Sequence, residues 1–354
     1  MNRRWIRRAW ERRGVLGILL WGSLLPFSCL YWLSVQVRNI FYSAGWRRSR
    51  HLDQFVISIG NLTVGGTGKT PTVVWVAQEL QKRGFKSAVL SRGYRRTGNQ
   101  PGLLKAHLAA DVDNFGDEPT MMAGLFGLTV AVARSRYEAA LEVLKNDSAD
   151  VFILDDGFQH RQLARDIDLL LLGSDATGWV LPSGPFREPK KAIRRAHFLL
   201  ITGAKDRWEH ALTKGGYTSI SNAVLQPVAL IGFDSRRWQK HPLALLAGRK
   251  IFAVTGIGNP QSFYRMISEG EGEILDVLEF PDHHSYSSED WQRINQAGRK
   301  ADLILTTEKD IVKLVHFPFA QEKLLALRVA MVVENGDAVI EAIVDSIQKK
   351  PRNN

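Results

Sequence analysis

A buried strand that runs straight into a glycine-rich turn and then into a helix leaves few folds open to a chain. Phe55-Val56-Ile57-Ser58-Ile59 is an unbroken apolar, β-rich run of strand length, and Val73 to Leu80 carries a helical pattern. Between them stands Thr63-Val64-Gly65-Gly66-Thr67-Gly68-Lys69-Thr70. Glycines let backbone N–H groups converge on phosphate oxygens where a helix begins, a lysine there reaches the β and γ phosphates, and a threonine hydroxyl holds Mg2+. The unit therefore predicts a P-loop for ATP and Mg2+ over Thr63, Val64, Gly65, Gly66, Thr67, Gly68, Lys69 and Thr70. It departs from the strict pattern, which has glycine where Thr63 stands. A glycine turn capped by threonine would leave the order Gly68, Lys69, Thr70 unexplained. A guanine-reading Asn-Lys-x-Asp is absent, which disfavours GTP.

Past residue 50, short β-rich runs alternate with helical patterns: Phe55–Ile59, Ser87–Leu90, Leu128–Ala133, Val151–Leu154, Ile167–Leu172 and Phe198–Ile201. Such alternation predicts an α/β fold, a P-loop NTPase-like parallel sheet with helices on both faces. The apolar run Leu225–Phe233 lacks a following helix, and Lys250–Thr255 opens a second strand-helix series that ends near Ile347. The expected division is a basic N-terminal anchor over 1–50, a P-loop domain over 51–222, a linker over 223–247, a second, smaller α/β domain over 248–348 and a polar tail over 349–354. Val151-Phe152-Ile153-Leu154 runs into Asp155-Asp156-Gly157, which resembles a Walker B strand that delivers carboxylate to Mg2+; either aspartate can be the ligand.

The net charge of +11 is not spread over the chain. Residues 1–50 hold ten arginines against one acid, Glu11, while the remainder holds 37 basic and 35 acidic side chains. A nucleic-acid groove over the body is therefore not expected, and an anionic surface at the N-terminus is. Gly14 to Val37 is free of charge and would reach about 36 Å as a helix, enough for a hydrocarbon core of ~30 Å. Arginines flank it on both sides, which one cytoplasmically oriented span does not satisfy, and Pro26 stands where it can break a helix. A span, a kinked hairpin and an interfacial helix all remain open; attachment without passage of the body through the membrane is the expectation. The single cysteine, Cys29, excludes an intramolecular disulfide framework and fits a reducing cytoplasm.

Several polar clusters follow strand ends. Val64-Gly65-Gly66-Thr67-Gly68-Lys69-Thr70-Pro71, Leu90-Ser91-Arg92-Gly93-Tyr94, Gly116-Asp117-Glu118-Pro119, Leu154-Asp155-Asp156-Gly157-Phe158-Gln159-His160, Arg187-Glu188-Pro189 and Phe280-Pro281-Asp282-His283-His284 occur in that order. Together they resemble the tetraacyldisaccharide 4′-kinases, the lipid A 4′-kinases of Gram-negative bacteria, from about residue 38 to 315. The resemblance implies ATP- and Mg2+-dependent phosphorylation of the 4′-hydroxyl of an acylated glucosamine disaccharide at the cytoplasmic face of the inner membrane. It also implies two α/β/α domains joined by a two-stranded linker. By the same resemblance Asp117 is the base for the acceptor hydroxyl, oriented by His283, with Lys69 on the phosphates. Thr70, Asp155, Asp156 and Glu118 are then metal-linked groups, and Arg92, Tyr94, Arg187, Glu188 and Asp282 substrate or supporting groups. Thr307-Glu308-Lys309-Asp310, after the strand Leu303–Leu305, is placed to approach ATP from the second domain. The rival class is a membrane-recruited P-loop ATPase switch without a lipid product. No obligate protein partner is inferred.

Overall fold

The computed structural model describes residues 6, 9–94, 96–98, 100–105, 112–213, 215, 217, 219–234, 237–320 and 323–351. Arg3, Arg4, Arg7 and Arg8 of the basic flank, and the tail beyond residue 351, lie outside the described residues.

The strands are β1 (Phe55–Asn61), β2 (Ser87–Ser91), β3 (Gly102–Leu104), β4 (Thr129–Val132), β5 (Val151–Asp155), β6 (Ile167–Leu172) and β7 (Phe198–Ile201), then β8 (Ile220–Asp234), β9 (Arg237–His241), β10 (Lys250–Thr255), β11 (Glu273–Glu279), β12 (Leu303–Thr307) and β13 (Leu324–Val333). They hydrogen-bond in the order β11-β10-β12-β13-β8-β7-β6-β1-β5-β2-β4-β3, with β9 on β8. The block from β7 to β4 is parallel throughout, as are β11, β10, β12 and β13. Strand β8 joins the two blocks: its first three residues pair in parallel with β7, and from Ala223 to Ile231 it runs antiparallel to β13. One continuous sheet therefore carries both strand-helix series. The expected linker region 223–247 is mostly sheet, the body of β8 and all of β9.

The helices are α1 (Gly14–Ser43), α2 (Lys69–Lys82), α3 (Val112–Phe115), α4 (Asp117–Phe126), α5 (Arg136–Asn146), α6 (Lys205–Thr213), α7 (Pro260–Glu269), α8 (Ser288–Ala297), α9 (Glu308–Leu314) and α10 (Gly336–Lys349). Alternation along each strand decides which helices it meets. Phe55, Ile57 and Ile59 face one side with Val73, Val76, Ala77 and Leu80 of α2; Val56, Phe152 and Leu154 face the other with Ala139, Ala140 and Val143 of α5. Burying each such Val, Leu or Ile side chain stabilises by about 1.5–3 kcal/mol. In the second series, Phe252 and Val254 meet Ile311 and Leu314 of α9, while Ile251 and Ala253 meet Phe263 and Ile267 of α7.

Helix α1 is a single 30-residue helix with Pro26 inside it. The hairpin left open by the sequence does not form, since proline removes one backbone donor and the rest of this long helix keeps its own. One stripe, at spacings of three and four, lies on the body. Ser28 Oγ donates to Val180 O at 3.2 Å, Tyr31 Oη donates to Arg187 O at 2.9 Å, and Arg38 and Asn39 reach Glu188 at 2.9 and 3.1 Å. The opposite stripe leaves Leu16, Leu19, Phe27, Leu30, Leu33 and Ile40 exposed.

Candidate active site

Parallel strands end at one edge of a sheet, so the segments after β1, β2 and β5 share a neighbourhood. The loop after β1 enters left-handed backbone at Gly65 (φ 121°) and Gly68 (φ 80°), a region that a β-carbon disfavours. Val64 N donates to Pro185 O at 2.8 Å and Asn61 Nδ2 to Thr67 Oγ1 at 3.0 Å, so strand end and neighbouring loop pin the turn. Helix α2 starts at Lys69, with Gly68 as its cap residue. Consecutive N–H groups at that start, the partial positive charge of the helix end and the Lys69 ammonium together suit a polyphosphate.

Lys69 Nζ lies 3.6 Å from Asp156 Oδ1, and Arg187 Nη1 lies 2.9 Å from both oxygens of Asp156. Burial works against an ionised Asp156, but the charges of Lys69 and Arg187 hold its carboxyl below the usual range. Asp155, at the last position of β5, is buried, and its carboxyl is pushed up to about 7. Burial is the main cause, followed by the negative charges of Glu118 and Asp156, with Lys69 and Arg136 pulling the other way. A carboxyl raised by neighbouring carboxylates is a site that gains from a cation. No group of three or more His, Cys, Asp or Glu is arranged to hold an ion among the described residues. The Asp155–Asp156 pair with Glu118 nearby is the kind of carboxylate set Mg2+ uses, one or two carboxylates with other ligands from phosphates and water. The residues present therefore fit the ion.

Glu118 leads to the second strand-helix series. Lys309 Nζ is 3.7 Å from Glu118 Oε1, 2.9 Å from Asp282 Oδ1 and 3.0 Å from His283 Nε2. His283 Nδ1 is 3.2 Å from Asp117 Oδ2, the oxygen that also accepts from Lys313 Nζ at 3.1 Å. Burial opposes an ionised Asp117, yet His283 and Lys313 outweigh it and hold the carboxyl below its ordinary value. The Tyr94 ring lies 5.2 Å from that of His283, and Arg92 is exposed beside it at the end of β2. Buried Arg136 donates to Asp155 O at 3.0 Å. His160 is pushed down to about 4 by burial and then by Arg136, Arg165 and Arg92, so its imidazole is neutral at pH 7.

Glu188 does not join this cluster. Its fully buried carboxylate is shared by Arg38 (2.9 Å), Asn39 (3.1 Å) and Arg195 (2.7 Å), which makes Arg187-Glu188-Pro189 a joint between α1 and the body. Both of its oxygens are bound beneath α1, apart from Asp117, His283 and the phosphate loop. Lys313 and Arg136 were not singled out in the sequence. The signal for Lys313 was its position four residues after Lys309, which puts both on one helical face.

The family model described as LpxK: Tetraacyldisaccharide-1-P 4'-kinase matches residues 20–348. The chain belongs to that family. A tetraacyldisaccharide 4'-kinase of Syntrophus aciditrophicus is 40% identical over 333 residues, covering 87% of this chain and 88% of the relative. One from Pelobacter propionicus is 34% identical over 363 residues, covering 97% and 96%. A crystal structure of LpxK from Aquifex aeolicus in complex with ATP is 32% identical, with a TM-score of 0.78, and covers 93% of this chain and 99% of that one. The kinase thus shares fold and family with an ATP-binding neighbour along nearly its whole length. The α/β architecture expected from the alternation of strands and helices is the one found.

Proposed function

We propose that this kinase moves the γ-phosphate of ATP to the 4′-hydroxyl of a tetraacylated glucosamine disaccharide 1-phosphate, forming lipid IVA in lipid A biosynthesis. The observation that carries the reading is the meeting of Asp117 and His283, 166 residues apart in sequence, beside the carboxylates that adjoin the phosphate loop. A nucleotide switch has no need of a proton acceptor there; transfer to an alcohol does.

Phosphoryl transfer asks little covalent help of a protein, so positioning and charge neutralisation dominate. Thr63 to Gly68 offer amide donors, and Lys69 and Arg187 bring positive charge to the edge where the triphosphate would lie. Thr70 and the Asp155–Asp156 pair would hold Mg2+, with Glu118 beside them. When bound, the ion would neutralise phosphate oxygens. Asp117, kept ionised by its partners, accepts the hydroxyl proton, and the neighbouring His283 orients that carboxylate and shares the developing charge. Arg92 and Tyr94 at the mouth of the site suit the phosphate and sugar of the acceptor, since a guanidinium pairs with phosphate in bidentate fashion. Asp282 acts through Lys309.

Helix α1 is long and apolar enough to cross a membrane, but Ser28, Tyr31 and Arg38 tie its middle and C-terminal half to the body. Its exposed leucines and phenylalanine then lie along the surface of the inner membrane, with the catalytic domains on the cytoplasmic side and the acceptor entering from the bilayer.

The test is incubation of detergent-solubilised protein with γ-labelled ATP and the disaccharide acceptor. Label in the lipid, lost in Lys69→Ala, is the expected result. Phosphate released only to water, with no labelled lipid, would overturn the assignment.

A further inference from the structure

Helix α9 presents two ammonium groups, Lys309 and Lys313, to the Asp117–His283 pair. Lys309 and Lys313 are one turn apart on one face of the helix. A lysine ammonium has three N–H donors and no acceptor. Lys309 Nζ lies 3.0 Å from His283 Nε2, so that nitrogen must accept and cannot carry a proton. The ring proton then belongs to Nδ1, which points at Asp117 Oδ2 from 3.2 Å. The opposite tautomer would turn one N–H toward the ammonium and a lone pair toward the carboxylate, both repulsive.

Lys313 fixes the other member of the pair. Its ammonium donates to Asp117 Oδ2 at 3.1 Å and to His284 O at 3.0 Å, and it lies within ion-pair distance of Asp310 Oδ1 at 3.2 Å. Asp310 is itself immobilised, fully buried and accepting from Gly256 N at 2.9 Å and Thr307 Oγ1 at 2.7 Å. Asp117 comes from the first strand-helix series, while both lysines and the histidine come from the second. Arg328 seals the same seam, bound to Glu308 at 3.0 Å and to Leu125 O at 2.8 Å.

We propose that Lys309 and Lys313 are positioning residues of the transfer reaction, Lys309 by fixing His283 as its Nδ1–H tautomer and Lys313 by orienting the Asp117 carboxylate against it. The proposal rests on the kinase reading for its rate consequences, but the tautomer is a property of the resting protein. A lysine that merely glued the two series together would change stability and leave the tautomer alone.

Two measurements test it. Histidine labelled with 15N in the full-length protein, assigned with His283→Gln, reports which ring nitrogen carries the proton without ATP or lipid. Nδ1–H is expected at His283, and a proton on Nε2 would overturn the proposal while leaving the kinase reading intact. Steady-state kinetics on Lys309→Met and Lys309→Gln supply the second. Met removes the donor, and kcat is expected to fall on the order of 10²-fold with KM for ATP nearly unchanged. Gln restores a neutral donor to Nε2 and should recover most of that loss. Equal kcat in Lys309→Met and the parent would also overturn it. Absence of lipid phosphorylation in the parent itself would instead remove the kinase reading and leave the tautomer result standing.

Discussion

Binding of Mg2+ with nucleotide should expel a proton whose source is Asp155. The carboxyl is raised to about 7 by burial and by the carboxylates of Glu118 and Asp156, so near pH 7 about half of the molecules hold the proton. A divalent cation beside it favours the ionised form. Release should then approach one proton per site well below pH 7 and fade well above it. The folded value lies above the unfolded one, so an ion-free fold is penalised increasingly as pH rises through the interval between 3.8 and about 7, and the ion relieves that penalty. Calorimetric titration in buffers of different ionisation heat reads the proton count directly. Saturating Mg2+ and a non-hydrolysable ATP analogue are used, and Asp155→Asn subtracts protons lost by the nucleotide. Equal release from the parent and Asp155→Asn at pH 6.5 would refute the reasoning, because then no proton resides on that carboxyl.

Three other outcomes are expected. Asp117→Ala should lower kcat by about 10²–10⁴-fold and leave nucleotide affinity almost unchanged, since the carboxylate serves the acceptor; rapid-quench kinetics and analogue binding separate the two. Glu188→Ala should leave Arg38 and Arg195 without their shared carboxylate and destabilise by about 3 kcal/mol, seen as a lower melting temperature and faster proteolysis around α1. Gly60→Ala should destabilise by about 2 kcal/mol or more, because its new β-carbon would stand 2.6 Å from Phe158 Cβ and 2.8 Å from Phe158 N, and a backbone atom cannot swing aside. Chemical denaturation of the two proteins measures it.

Local chemistry was legible in the sequence to the extent that it repeats locally. The run Phe55–Ile59 became β1, Val151–Leu154 became β5 with Asp155 at its end, and the order Gly68, Lys69, Thr70 became a helix start. Each is settled within a few residues by side-chain alternation or by a left-handed glycine. What could not be read is settled by distant partners. Glu188 sits in an Arg-Glu-Pro run whose neighbours in sequence do not say which way its carboxylate faces, and it is Arg38, 150 residues away, that meets it inside. Lys313 looks like an ordinary helical lysine until Asp117, 196 residues away, meets it. Pro26 shows the converse: a local rule for helix breaking yields when the remaining donors on either side are paired within the helix and one stripe is fastened to the body. Strand β8 had no local mark of its double allegiance, because an apolar run looks the same whichever neighbours it will have.

That fifteen-residue strand has a mechanical consequence. Its first three positions are stitched to β7 and the following stretch to β13, with no slack turn between. Rotation of one strand-helix series against the other cannot swing on a loose joint; it has to be absorbed as torsion of a ribbon or by unzipping the short parallel stitch. Any closing of the cleft that brings Asp117 and His283 together is therefore expected to load that ribbon rather than turn on a hinge.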